Sequence, residues 1–251
     1  MRAKNLREAL HLTRKQNARL FVDELRLTRQ AKLKVRPGTK TFYDEAKAFL
    51  ESAGYDRLGD YRMTSMPRGT PANLTPLRVY LSPDRETVAD AFYYQASLET
   101  HMNAAFGGAP MPLTYDFVTE FEDGGFLSTS NAEAASVIEQ PKSAQNIFLP
   151  AYTPASKVLG AHRKALAKEK KRGRRPILIT NEAEWKGSAG RLHRLKSEFR
   201  QRIGHARMSE IKAVKKRRDD AHETLLKALG ALAELADAAT ADPKPRRKAR
   251  R

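Results

Sequence analysis

Between Thr114 and Phe121 the side chains alternate, with Tyr115, Phe117, Thr119 and Phe121 on one side and Asp116, Val118 and Glu120 on the other. A two-residue period of this kind belongs to a half-buried strand. Asp123-Gly124 supplies turn chemistry and Phe126–Ser130 runs back, so the segment predicts a hairpin. Further strands are predicted at Leu58–Met63, Leu77–Leu81 and Thr87–Gln95. Phe42, Ala46, Phe49, Leu50 and Ala53 recur at helical spacing before Gly54, which predicts a helix from Thr41 to Ala53 with Thr41 and Asp44 as capping residues. The stretch Ser97–Pro112 begins helix-like and ends as a loop. The fold class expected is α+β: a central antiparallel sheet of four or five strands with packing helices.

Long helices are expected on either side. Leu6, Leu10, Thr13, Asn17, Leu20 and Leu27 form a stripe, which predicts a basic helix over residues 3–34 stopped by the breaker pair Pro37-Gly38. After the core, Thr153 and Pro154 suit a helix start. Pro176–Thr180 could form a short strand. From Ser188 two stripes follow, Leu192 to Ala206 and Ile211 to Leu235, as one long helix or a pair broken near Gly204 or Gly230. The two terminal stripes each need an apolar partner, so pairing with each other or across a homo-oligomer is expected. The organisation predicted is therefore a basic helix over 1–40, a core over 41–165, a basic helical region over 166–240 and a disordered tail over 241–251.

Charge sharpens this division. The formal net charge is +18, distributed as +9 over residues 1–40, −8 over 41–156 and +17 over 157–251. Basic arms around an acidic centre point to nucleic acid or another polyanion, or to neutralisation of the centre by the arms themselves. Cysteine is absent, which removes disulfides, thiolate nucleophiles and Cys-ligated metals and suits a reducing, cytoplasmic location. No apolar run approaches the ~20 residues that span a bilayer. The six histidines show no ligand spacing, so no metal is expected. Gly107-Gly108 and Gly124-Gly125 are turn glycines and not a phosphate loop.

The cations read as nucleic-acid contacts are Lys170, Lys171, Arg172, Arg174, Arg175, Arg191, Arg194, Arg200, Arg202, Lys215, Lys216, Arg217 and Arg218, with Arg246 and Arg247 in the tail. They would neutralise phosphates without reading bases. Trp185 and Phe199 are the only aromatics among them, which gives little support for stacking on bases.

Two resemblances add expectations. Ser128-Thr129-Ser130 within GFLSTSN resembles the second motif of mono-ADP-ribosyltransferases. That likeness implies an NAD site in which Arg78 grips the phosphates, Ser128 orders the pocket and Glu184 of Glu182-Ala183-Glu184 stabilises an oxocarbenium-like centre. Ala53-Gly54-Tyr55, Leu58-Gly59-Asp60-Tyr61, Leu77-Arg78-Val79-Tyr80, Phe121-Glu122-Asp123-Gly124, Leu127–Asn131 and Ala155-Ser156 with Leu159 and His162 resemble a family of uncharacterised bacterial proteins, over about residues 42–162. That second likeness implies a shared fold and no particular activity. The function expected is a non-catalytic module that binds an anionic polymer, nucleic acid foremost, without cofactor. The alternatives are an NAD-using transferase and a coiled-coil scaffold.

Overall fold

The computed structural model describes residues 5–20, 24–31, 35, 37–64, 76–92, 114–217 and 219–220. Helix α1 (Leu6–Leu20) opens the described chain, with Asn5 Oδ1 accepting from the amides of Arg7 and Glu8. Strand β1 (Leu27–Gln30) and helix α2 (Pro37–Ser52) follow, then β2 (Asp56–Met63), β3 (Pro76–Leu81), β4 (Val88–Phe92), β5 (Thr114–Glu120) and β6 (Phe126–Ser130). A 3-10 turn (Glu133–Val137) leads to β7 (Ala144–Phe148), and helices α3 (Ala155–Lys171) and α4 (Glu182–Arg202) complete the named elements. No helix among the described residues is long and apolar enough to cross a membrane.

The strands form one seven-stranded sheet in the order β1-β2-β3-β4-β5-β6-β7, antiparallel throughout except for the parallel pair β6–β7. This corrects the expected antiparallel sheet of four or five strands. The added strands lie at the two edges. β1 (Leu-Thr-Arg-Gln) falls inside the stripe read as one basic helix, because Leu27 continues the leucine spacing. β7 (Ala-Gln-Asn-Ile-Phe) has no two-residue alternation to betray it. The N-terminal helix therefore ends at Leu20, and a helix over 3–34 is overturned by the pairing of Leu27–Gln30 with Asp60–Met63. Pro37 opens α2 and does not block it, since the first turn of a helix has no use for the missing N–H. Asp44 then lies inside the helix and pairs with Lys40 one turn back.

Helices cover both faces of the sheet. On one face α2 and α3 enclose Leu50, Tyr55, Tyr80, Ala89, Phe117, Val158 and Leu159. On the other, Trp185 of α4 and Ile179 pack on Tyr61, Leu77, Val79, Leu81 and Val88. Residues 176–179 run beside the strands without forming one: Pro176 bridges Phe121, Ile177 N donates to Glu120 O, and Ile179 N donates to Arg85 O. Thr153 caps no amide, and its hydroxyl returns to Pro150 O at 2.6 Å. α4 stops at Gly204, where φ is +71°, and residues 208–217 are helical again, so the expected break falls there. Arg14 Nε of α1 donates to Ala206 O at 3.1 Å, tying the first helix to this break. Most of the Ile211–Leu235 stripe and the tail lie outside the described residues, as do 97–112.

Candidate functional site

Strand register decides the fate of the Ser-Thr-Ser motif. Asp90, Asp116 and Ser130 stand opposite one another across β4, β5 and β6, as do Val88, Val118 and Ser128, so all share the face under α4. Arg78 stands opposite Ala91 and Tyr115 and so occupies the other face, where its guanidinium is bound to Asp60 and to Tyr43 O. Glu184 lies exposed in the first turn of α4, accepting from Thr180 N and Oγ1 at 2.6 and 2.8 Å. Asn181 Oδ1 in turn accepts from Glu184 N at 3.0 Å, which closes a reciprocal helix cap. Arg78, Ser128 and Glu184 therefore do not converge. The motif's hydroxyls have other partners: Ser128 Oγ donates to Asp116 Oδ1 at 2.6 Å, Thr129 Oγ1 lies 3.1 Å from His162 Nδ1, and Ser130 Oγ accepts from Ala132 N at 3.0 Å. His162 is fully buried among Thr87, Thr119 and Thr129, and burial holds its imidazole neutral, with a pKa lowered to about 4.

The basic residues divide into two groups. Lys170 pairs with Glu86 at 2.7 Å, Arg172 with Glu169 at 2.7 Å, and Arg191 forks onto Glu120 at 2.6 and 2.8 Å. Arg174 forks onto Asp123 at 2.8 Å through both arms while lying 3.9 Å from the Phe121 ring centroid. Its guanidinium fills the place a side chain at Gly125 would need, which explains the second glycine of that turn. Arg200 is buried against Glu210 at 2.6 Å, and Arg217 donates to Glu133 O and Ser136 Oγ. These cations neutralise acidic groups of the same molecule. Lys171, Arg175, Arg194, Arg202, Lys215 and Lys216 are exposed and have no carboxylate partner among the described residues. Arg218, Arg246 and Arg247 lie outside those residues. Of the two aromatics, Trp185 is buried in the core and Phe199 lies beneath Arg202.

One helix, α3, carries several exposed cations without a carboxylate partner among the described residues. Val158, Leu159, His162, Leu166 and Glu169 turn inward and are buried. Lys157, Lys164, Lys168 and Lys171 are all exposed and pair with no carboxylate among the described residues. At about 100° per residue these four fall within an arc of about 60°, so they form one straight row about 21 Å long. Gly160, Ala161 and Ala167 flank the row and leave it sterically clear. Lys168 and Lys171 fall in the last turn of the helix, where the backbone dipole favours cations. Three of these lysines, Lys157, Lys164 and Lys168, escape a reading that looks for dense charge runs. Their helical spacing was nonetheless legible in the sequence.

Under α4 lies a second polar cluster. Asp90 and Asp116 are cross-strand neighbours, Ser128 donates to Asp116, and Lys196 of α4 lies close enough to influence Asp116. Asp90 Oδ1 has no hydrogen-bond partner among the described residues. Burial pushes the Asp90 carboxyl up to about 8, and the adjacent Asp116 pushes it the same way. Burial also raises Asp116, opposed by Lys196 and by the Ser128 hydrogen bond, and it lowers Lys196, opposed by Asp116. No group of three or more His, Cys, Asp or Glu suited to a metal exists among the described residues. No family model, curated protein or solved structure matches the chain.

Proposed function

We propose that the protein is a non-catalytic module that binds the phosphate backbone of nucleic acid through the outer face of α3. The observation that carries this reading is the row Lys157, Lys164, Lys168 and Lys171: four exposed ammonium groups in line, none of them neutralised by a carboxylate among the described residues. The contrast with Arg174, Arg191 and Arg200, each held by a carboxylate, supports it. An ammonium is a point charge on a flexible stem, suited to phosphates and not to the bidentate reading of base edges. The row offers no Asn or Gln to read a base, so binding is sequence-tolerant.

The test is the salt dependence of binding to a labelled oligonucleotide. Each phosphate neutralised contributes about 0.9 to the log–log slope on B-DNA and about 0.7 on single strands. Replacing all four lysines by glutamine is expected to lower the slope by roughly 3 and to weaken binding at least tenfold at about 0.1 M salt. Melting should change little, because all four side chains are exposed. An unchanged slope, or an equal loss when only Lys215 and Lys216 are replaced, would remove α3 as the interface.

A further inference from the structure

Two members of the lysine row, Lys168 and Lys171, depend on how the last turn of α3 is held. The inner face of the helix runs Val158, Leu159, His162, Leu166 and Glu169. The first four dock the helix by burial, but its last turn meets the sheet through a carboxylate. Glu169 is 4% exposed, and Arg174 Nη1 donates to its Oε2 at 3.2 Å. The same guanidinium forks onto Asp123 in the β5–β6 turn and lies against the buried Phe121 ring. One planar group therefore joins the end of α3 to the hairpin, in a geometry that a lysine does not reproduce. The other ties at this end are weaker. Arg172 pairs with Glu169 from the helix's own C-terminus and so reaches no strand, and Lys170–Glu86 is a partly exposed pair of a kind that contributes little.

Resting on the backbone-binding reading above, we infer that Arg174 is a positioning residue for that site: it holds Lys168 and Lys171 in line with Lys157 and Lys164 and touches no phosphate itself. In the sequence it belongs to a dense basic run, KKRGRR, where it reads as one more phosphate contact. Its occupied donors argue against that, since Nε, Nη1 and Nη2 all have carboxylate acceptors. Gly125 belongs to the same arrangement. A Cβ there would lie 2.1 Å from Arg174 Nη2, so the turn leaves that place open for the guanidinium.

The experiment uses the full chain, a labelled duplex oligonucleotide and the salt dependence of its binding. Arg174→Gln is expected to lower the log–log slope by roughly 2, because two lysines leave the line, whereas loss of one direct phosphate contact lowers it by about 0.9. Gly125→Ala changes no charge and displaces the guanidinium, whose flexible stem can swing aside. It should weaken binding about threefold at ~0.1 M salt. An arginine acting by its charge alone would instead bind as well or better once released from Asp123. A double-mutant cycle completes the test. Replacing Lys168 and Lys171 by glutamine should cost about threefold in wild type and almost nothing beside Gly125→Ala, while replacing Lys157 and Lys164 should cost the same in both. Circular dichroism at the assay temperature checks that each variant is folded, and the Gly125→Ala cycle decides the matter if Arg174→Gln does not fold. A slope change near 1 for Arg174→Gln, undiminished binding by Gly125→Ala, or additive cycles overturn the inference while leaving the row in place. If the four-lysine variant binds like wild type, the row fails and the positioning with it.

Discussion

Arg78→Met is expected to destabilise the fold by about 3 kcal/mol, the scale at which removing one partner of a buried ion pair is felt. Arg78 is 8% exposed and Asp60 3%. The guanidinium donates through Nε to Asp60 Oδ1 at 2.9 Å and through Nη1 to Tyr43 O at 2.9 Å, tying β3 to β2 and to α2 at once. It also lies 5.4 Å from the centroid of the Tyr43 ring. Methionine matches the length of the stem but leaves both acceptors without that donor. Asp60 would keep Arg57, whose Nη2 reaches Oδ2 at 2.6 Å, and this keeps the loss at the lower end of the range. Urea denaturation reads the effect, and the double variant Arg78→Met/Asp60→Leu should recover part of it, because no carboxylate is then left buried. Had Arg78 gripped NAD, the same substitution would instead leave the midpoint alone and weaken nucleotide binding. An unchanged midpoint would show that the pair contributes nothing.

Asp90→Asn is expected to act in the opposite direction, and only over part of the pH scale. In the folded protein burial and Asp116 hold the Asp90 carboxyl protonated up to about pH 8, whereas an unfolded aspartate releases its proton near pH 4. Between those values the folded state binds the extra proton, so stability falls as pH rises, by up to about 1.4 kcal/mol per pH unit, and levels off above pH 8. Asp116 on the neighbouring strand stands opposite Asp90 and adds to the cost, while Ser128 and Lys196 of α4 act on Asp116. Asparagine keeps the shape without the ionisation. At pH 7 a gain on the order of 2–4 kcal/mol is expected, shrinking towards zero near pH 4. Denaturation curves for wild type and Asp90→Asn at several pH values check it, and the comparison removes the separate acid-side contribution of His162. Parallel stability profiles would show that Asp90 is ionised in the folded protein.

These expectations depend on register, and register is where the sequence stops being readable. The hairpin was legible: Tyr115, Phe117 and Thr119 do share one face, and Asp116, Val118 and Glu120 the other. Its alternation survives because one face meets α2 and α3 while the other meets α4. The edge strands were not legible. Leu27 fits a leucine stripe as well as a strand, and β7 pairs in parallel after a crossover that leaves no turn signature. Ser128 and Arg78 looked compatible as partners because motif order carries no information about faces. One residue of offset puts Arg78 against Asp60 and Ser128 against Asp116. The Asp90–Asp116 encounter needs the pairing of β4 with β5 across residues 93–113, which no local pattern specifies. Similarly, which arginines are neutralised follows from where Glu120, Asp123 and Glu169 end up in space, not from how densely the cations are written.

Strand order in this sheet follows chain order, and that bears on how the protein is made. Each strand from β2 to β6 can pair with the one before it as the ribosome releases it, without waiting for distant segments. The face bearing Leu77, Val79, Leu81 and Val88 is different, because its cover, Ile179 and Trp185, is synthesised well after β6. At about 5–20 residues per second that apolar surface stays bare for roughly 3–10 s after the hairpin is complete. During this interval the nascent chain is a natural client for a chaperone that holds apolar sheet surface, and truncation before Trp185 leaves it in that state permanently.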